Sequence, residues 1–246
     1  MKRTFLAMAS MFLMMVVAVS CTKPDEPNNG GNNNQNDTVV DYSGSLNGHD
    51  YVDLGLPSGT LWATCNVGAD TPEGYGDYFA WGEREPKEIY DWKSYKYGRF
   101  FQERYELNKY CTDSCWGLDG FVDNLIVMEP IDDAALANWG EGWRIPTIEE
   151  WDEMFQNTTC TWTAQNGVNG WRFTASNGNS IFLPAAGYWR NSEFNCANLG
   201  IYWSVSLNVE FPYRAWGFHF NCDSNHLCGS SDRNRGQTVR AVCSMK

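Results

Sequence analysis

The chain is poor in basic residues, and this shortage limits the partners that it can have. Only 18 Lys and Arg stand against 30 Asp and Glu in 246 residues, so the formal net charge is −12. Nucleic-acid binding draws much of its affinity from cationic contacts to phosphate, so this balance argues against a nucleic-acid partner. The sequence also lacks the usual glycine-rich phosphate loop, which argues against the common nucleotide-binding motifs.

Histidine is scarce as well, with three residues in the whole chain. His49 lies in a predicted turn, and no Ser-His-Asp or Cys-His arrangement can be argued from the sequence. Four residues of metal-ligand type lie near the C-terminus: His219, Cys222, His226 and Cys228. The two cysteines there are separated by five residues, a wider gap than the Cys-x2–4-Cys element of structural zinc sites. We therefore predict no metal, no cofactor and no enzymatic activity.

Long apolar segments are limited to one run, Phe5 to Val19, which is shorter than the roughly 20 residues of a membrane span. Lys2 and Arg3 precede the run, and this order predicts a secretory signal peptide over residues 1–20. The residues AVSC, Ala18 to Cys21, resemble a lipoprotein signal-peptidase site. That resemblance implies lipidation at Cys21 and anchoring to the outer membrane; an ordinary signal peptide with a chance cysteine is the alternative.

Residues 21–41 are predicted to form a disordered tether, because Pro24 to Asp37 are mostly Asn, Gly and Pro with no apolar residue to bury. Asp25 and Glu26 resemble the export signal of surface-exposed lipoproteins, which predicts exposure at the cell surface. Residues 42–246 are predicted to be one domain. All twelve tryptophans lie there, and no linker-like composition interrupts them.

Cysteine usage in an exported protein raises the question of disulfide bonds. Eight cysteines remain beyond Cys21: Cys65, Cys111, Cys115, Cys160, Cys196, Cys222, Cys228 and Cys243. Four bridges are possible, and the sequence leaves their connectivity open.

Helical signals are few. Thr147 and Glu150 form a capping box, followed by apolar residues spaced for one helical face: Ile148, Trp151, Met154 and Phe155. The acids in this first turn favour the helix dipole, so we interpret them as structural and not catalytic. A second helix is predicted over Asp132 to Asn138.

The C-terminal stretch, Tyr202 to Cys243, contains short apolar segments separated by polar residues of varied type. In AWGFHFN the aromatic residues occupy every second position, which predicts a strand with Trp216, Phe218 and Phe220 facing inward. Gly217, His219 and Asn221 would face outward. A buried strand whose outward side chains vary in type, followed by polar loops, is typical of a binding surface on a rigid scaffold.

Six segments carry a family resemblance: GLPSGTLWATCNVGA, WGEREP, WRIPTIEEWDEM, NGNSIFLPAAGY, YWSVS and GQTVRAVC. In this order, over roughly residues 47–243, they resemble the Fibrobacter succinogenes major paralogous domain, which is common in secreted lipoproteins of gut bacteria. The resemblance implies an α+β, C-type-lectin-like fold related to that of formylglycine-generating enzymes, with few helices, many short strands and long loops. The Glu-Pro-Asn signature of calcium lectins is missing, since Ile131 follows Glu129 and Pro130.

Proteins with that fold also serve as variable proteins of diversity-generating retroelements, in which mutation of adenines changes Asn codons to many others. Seven Asn residues fit such a pattern: Asn191, Asn195, Asn198, Asn208, Asn221, Asn225 and Asn234. On this hypothesis Cys196, Cys222 and Cys228 are random products and not bridge partners. The alternative is an ordinary Asn-rich loop that is not diversified.

We expect an extracellular ligand, protein or glycan, to bind the C-terminal face. The candidate binding residues are Asn191, Glu193, Phe194, Asn195, Tyr213, Arg214, His219, Asn221, Asp223, Asn225, His226, Ser230 and Asp232. One alternative is a structural or accessory subunit of a surface fibre. Another is an oxidase of the formylglycine-generating type. Such enzymes use a pair of reactive cysteines, which Cys222 and Cys228 match only loosely.

Overall fold

The computed structural model describes residues 42–195, 198–223 and 226–244, with the backbone alone at 226 and 227. The predicted signal peptide, the lipidation site Cys21 and the tether all lie outside the described residues. Among the described residues, no helix is long and apolar enough to cross a membrane.

The fold is mostly β, and the expected α+β, C-type-lectin-like class is wrong. The described residues are 42% strand and only 11% helical. The described part of the chain has two α-helices, α1 (Ala134–Trp139) and α2 (Ile148–Gln156), and two single-turn 3-10 segments, Leu118–Gly120 and Pro130–Asp132. Helices of six and nine residues are too short to form a layer of their own, so they pack on the sheets instead.

Local capping explains where both helices begin and end. The Asp133 side chain accepts from the backbone N–H groups of Ala135 and Leu136, and Gly140 at φ 87° ends α1. The predicted capping box at α2 is confirmed, since Thr147 and Glu150 each accept from the other's backbone N–H.

The strands between residues 42 and 244 that the structure describes form five small sheets, in which neighbouring strands are antiparallel. The largest sheet runs in the order β1 (Gly44–Leu46), β2 (His49–Val52), β3 (Leu61–Asn66), β14 (Arg240–Cys243). Two hairpins stand apart: β4 (Gly98–Phe101) with β5 (Arg104–Leu107), and β9 (Tyr188–Arg190) with β10 (Glu193–Asn195). Two sheets have three strands each: β6 (Thr158–Gln165), β7 (Val168–Ala175), β8 (Ser180–Pro184); and β11 (Leu199–Leu207), β12 (Arg214–Asn221), β13 (His226–Asp232).

The β11–β12–β13 sheet lies between two hydrophobic cores. Tyr202 and Phe218 point into one core with Trp151, while Trp203 points into the other with Trp81. Adjacent residues of one strand serve both cores because successive side chains point to opposite faces. Phe218 and Phe220 are buried as predicted, whereas Trp216 is partly exposed.

Two fully buried arginines fix the C-terminal segment. The Arg233 guanidinium donates to the carbonyls of Lys109, Tyr110 and Pro212 and to the Tyr95 hydroxyl, over 2.8–3.0 Å. The Arg240 guanidinium donates to Asn66 Oδ1 and to three backbone carbonyls, those of Ala63, Thr64 and Phe182. Arg233 thereby holds its flanking residues against the middle of the chain.

Seven of the cysteines lie among the described residues, and all seven are free thiols: Cys65, Cys111, Cys115, Cys160, Cys222, Cys228 and Cys243. None of the bridges that the sequence left open forms between them, and Cys196 lies outside the described residues.

Candidate ligand-binding site

A small open cleft of about 180 Å³ lies where the end of β13 meets the β4–β5 hairpin. Its lining combines aromatic rings, guanidinium groups, amides and one carboxylate: Trp92, Phe100, Tyr105, Arg190, Asn191, Asp232, Asn234 and Arg235. Two of the predicted site residues, Asn191 and Asp232, lie in this cleft. Five of the eight lining residues are polar or charged, so the cleft suits a polar ligand with some apolar surface.

The aromatic wall is a connected set of rings. Tyr105 lies 5.0 Å from both Phe100 and Trp92, measured between ring centroids. On its other side it stacks on Tyr213, a predicted site residue, which in turn contacts Trp116. Phe100 is 48% exposed, so its ring is free to contact a ligand.

The floor of the cleft is charged. Asp232 is flanked by Arg235, whose Nη2 lies 3.4 Å from Oδ2, and by Arg214, whose Nε lies 3.8 Å from Oδ1. The Arg235 guanidinium also lies over the Tyr188 ring, 5.3 Å from its centroid. Arg190 is exposed at the rim. Guanidinium groups therefore outnumber carboxylates around the cleft.

Two polar atoms at the cleft are buried and have no hydrogen-bond partner among the described residues. They are Asn234 Oδ1, on a side chain only 5% exposed, and Arg235 Nε. Asn234 is held in place because its Nδ2 donates to the Tyr90 carbonyl over 3.0 Å. A buried donor or acceptor without a partner costs about 1–3 kcal/mol, so such atoms mark positions where a ligand can add hydrogen bonds.

The backbone around the cleft is fixed by long-range hydrogen bonds. Tyr90 and Asn191 exchange N–H···O bonds of 2.8 and 2.9 Å, and Trp189 and Gly236 exchange bonds of 2.8 and 3.0 Å. Arg233, buried next to Asp232 and Asn234, anchors the same segment. The cleft is thus preorganised, which reduces the ordering cost of binding.

His219 lies on the neighbouring part of β12 and is less available than predicted. Part of the residue is exposed, but Nε2 is buried and has no partner among the described residues. The ring lies over Gly229, where a Cβ would come within 2.5 Å of Nδ1. Burial lowers the pKa of His219 to about 4, and the charges of Arg235 and Arg214 add to that lowering. At neutral pH the imidazole is uncharged.

The remaining predicted residues do not form one surface with the cleft. Asn221 and Asp223 lie at the opposite end of β12, about 23 Å from Arg214 at the usual strand rise. Phe194 packs against Tyr78 and Trp189 in the core. Glu193 and Asn195 lie on strand β10 of the β9–β10 hairpin. Ser230 lies on β13, the edge strand of the β11–β12–β13 sheet. Asn225 and the His226 side chain lie outside the described residues.

A second cluster of ionisable groups surrounds Asp132, and it is fully satisfied. The Asp132 carboxylate accepts from the hydroxyls of Tyr97 and Tyr110 and from Lys109 Nζ. Burial alone would raise the pKa of Asp132, but these hydrogen bonds outweigh it and the pKa is lowered. The carboxylate has no spare hydrogen-bonding need, which is typical of a structural network.

Sequence reasoning does not single out Trp92, Phe100, Tyr105 or Arg235 as site residues. The three aromatic residues lie more than 80 residues before Asn191, in a segment of mixed composition. An unusual density of aromatic residues in a hydrophilic segment is the one signal that could have indicated them.

No protein-family model matches the chain, and no curated protein or solved structure matches it significantly. The case for function therefore depends on the geometry of the cleft and on the sequence motifs.

Proposed function

We propose that the protein is a lipid-anchored outer-membrane protein that binds an extracellular ligand non-covalently at the cleft end of the β11–β12–β13 sheet. The observation that carries this proposal is the pair of unpartnered atoms, Asn234 Oδ1 and Arg235 Nε, at an aromatic-walled cleft. Asn234 and Arg235 both line the cleft. Anchoring at Cys21 and exposure at the cell surface rest on the sequence of residues 1–41.

The role is proposed to be recognition without catalysis. Two acids of α2 have structural partners: Glu150 pairs with Arg144, and Glu153 accepts from Ser58. Burial raises the pKa of the Cys228 thiol, which disfavours the thiolate that oxidase chemistry would need.

Membership of the Fibrobacter succinogenes major paralogous domain family, with diversification of the C-terminal region, is part of the proposal. Asn191 and Asn198 are exposed, so a change of side chain there removes little packing, while their positive φ favours Asn or Gly. Asn208 is different, because it is buried and its Oδ1 accepts from the N–H groups of Glu210 and Phe211. Diversification should therefore spare Asn208. Sequencing the gene's last stretch across one bacterial population tests this.

The binding test uses whole cells that carry or lack the gene, probed with extracellular glycans and proteins. We expect a ligand that the gene-bearing cells retain and the deletion strain does not. Asn191→Gly removes a cleft amide while keeping the positive φ of that position accessible, and it should weaken retention. Binding that depends on the gene but not on Asn191 or Arg190 would refute the assignment to the cleft.

Localisation is tested separately with Cys21→Ser and a labelled fatty acid. Incorporation of the label into the wild-type chain alone, together with protease sensitivity on intact cells, would support a surface lipoprotein. A wild-type chain that incorporates no label would exclude the lipid anchor.

A second candidate, a subunit of a surface fibre, is favoured by a set of exposed apolar side chains between α1 and the end of β5. They are Phe121, Val122, Ile126, Val127 and Ile131, each 37–68% exposed. Exposed apolar patches commonly mark protein–protein contacts. Ile126→Ser with Ile131→Ser should abolish assembly if this surface mediates it, and leave ligand retention unchanged.

A further inference from the structure

The cleft is positively charged in a protein that is strongly acidic. Arg190 and Arg235 line it with a single carboxylate, Asp232, and Arg214 lies 3.8 Å from that carboxylate, whereas the whole chain has a net charge of −12. Glu193 lies across the hairpin from Arg190 but does not line the cleft. An excess of guanidinium groups in a cleft favours a ligand with a carboxylate, which the planar guanidinium binds through paired hydrogen bonds.

The size and the wall of the cleft favour a ring. A volume of about 180 Å³ is below the roughly 300–1,000 Å³ of pockets for drug-sized molecules, so one small cyclic group suits it. Phe100 and Trp92 present aromatic surface to that space. The apolar C–H face of a sugar ring packs against such rings, while its hydroxyls remain free to form hydrogen bonds.

The two unpartnered atoms belong to residues that line the cleft, and a ligand that satisfied both would supply one donor and one acceptor. Asn234 Oδ1 can only accept, so its partner must supply a hydrogen. Arg235 Nε can only donate, so its partner must supply a lone pair. A sugar hydroxyl does both, whereas a carboxylate alone cannot satisfy Asn234.

We propose that the cleft binds one sugar ring that carries a carboxylate, as an acidic residue of an extracellular glycan. This inference rests on the proposed ligand-binding function and names its ligand class. The carboxylate pairs with Arg190 and Arg235, the ring contacts Phe100 and Trp92, and a hydroxyl bonds to Asn234. A glutamate side chain of a protein partner offers the charge but neither the ring nor the hydroxyl.

The test is titration calorimetry of the full chain, expressed from its whole gene and purified in detergent. The probes are oligosaccharides of galacturonic, glucuronic or sialic acid, each as the free acid and as its neutral methyl ester, with pentaglutamate as the acidic peptide. We expect at least one free acid to bind, and its ester to bind about tenfold more weakly or worse, because a charge-assisted hydrogen bond is lost.

The chain offers matched control variants. Phe100 and Phe101 are adjacent and 48% and 50% exposed, but only Phe100 lines the cleft. Arg190 and Arg104 are both exposed, and only Arg190 lines the cleft. Phe100→Ala and Arg190→Gln should each weaken binding about tenfold, while Phe101→Ala and Arg104→Gln should leave it unchanged.

Each other outcome overturns the inference in a recognisable manner. Equal binding of acid and ester would show that the cleft does not recognise a carboxylate, and would leave the proposed ligand-binding function intact. Binding of pentaglutamate with no effect of Phe100→Ala would replace the sugar by an acidic protein partner. If no acidic sugar binds but whole cells still retain another ligand at the cleft, only this inference falls. If cells retain nothing either, the proposed function falls with it.

Discussion

Tyr105 and Tyr213 lie face to face, with ring centroids 4.0 Å apart and ring planes 4° from parallel. Tyr105 belongs to β5 and Tyr213 directly precedes β12, so this stack joins two segments that are more than 100 residues apart. It places the β4–β5 hairpin, with Phe100, against the charged floor of the cleft. The stack is therefore one of the contacts that assemble the two halves of the candidate site.

Removing one ring of the stack should loosen the hairpin. Tyr213→Ala is expected to lower the free energy of unfolding by about 2 kcal/mol, because a half-buried ring and its stacking partner are lost. Hydrogen exchange of residues 98–107 should accelerate. Tyr213→Phe keeps the ring and serves as the control. If Tyr213→Ala leaves exchange in the hairpin unchanged, the stack does not hold it.

Arg233 is expected to be the most sensitive single position near the cleft. Arg233→Met leaves three backbone carbonyls and the Tyr95 hydroxyl without their donor inside the core. The expected loss in urea unfolding is about 3 kcal/mol or more. Arg104→Gln changes an exposed arginine and should shift stability by about 0.5 kcal/mol or less. Similar values for the two variants would refute the anchoring role of Arg233.

His219 should make stability depend on pH. Its pKa is lowered to about 4 in the folded chain by burial and by Arg235 and Arg214, against 6.5 in the unfolded chain. The unfolded state therefore binds a proton first, and stability present above pH 6.5 is lost as the pH falls towards 4. The loss is at most about 3.5 kcal/mol, at 1.4 kcal/mol per pKa unit between 6.5 and about 4.

The His219 prediction is measured as the difference between wild-type and His219→Phe unfolding at pH 7 and pH 4.5. The phenylalanine variant should lose less stability over this range, because it has no imidazole to protonate. Equal losses in both proteins would show that the carboxylates alone account for the acid sensitivity.

Glu150 should stabilise α2 through its charge. Its carboxylate receives two hydrogen bonds from the Arg144 guanidinium and one from the Thr147 backbone N–H. Burial would raise the pKa of Glu150, but these partners outweigh it and lower the pKa below its ordinary value of 4.5. The resulting stability is present above pH 4.5 and is lost as the pH falls below that value. Glu150→Gln should cost about 1–3 kcal/mol at pH 7. Glu149→Gln, at an exposed position of the same turn, should be nearly neutral, and a reversed order would contradict this role.

The sequence predicted the elements that depend on local signals. The capping box of Thr147 and Glu150 and the apolar spacing after it defined α2, and alternation in AWGFHFN defined β12. The fold class was wrong because a family resemblance supplied it, and the helices end after six and nine residues at Gly140 and Asn157. Residue type alone could not show how little of the chain is helical.

The cleft could not be predicted, because contacts between distant segments build it. The pairing of Tyr90 with Asn191 and the stack of Tyr105 on Tyr213 bring residues 90–105 to the C-terminal segment. Residues 83–107 have mixed composition, yet they include the β4–β5 hairpin and the buried Tyr95 and Tyr97.

The most direct test compares the two ends of the β11–β12–β13 sheet in the ligand-retention assay on whole cells. Asn191→Gly with Arg190→Gln alters the cleft end, and Asn221→Ala with Asp223→Ala alters the opposite end. Both pairs are exposed or partly exposed, so both variants should fold. We predict that the first pair abolishes retention and that the second leaves it intact. Loss of retention with the second pair alone would place the ligand at the other end of the sheet and contradict the account.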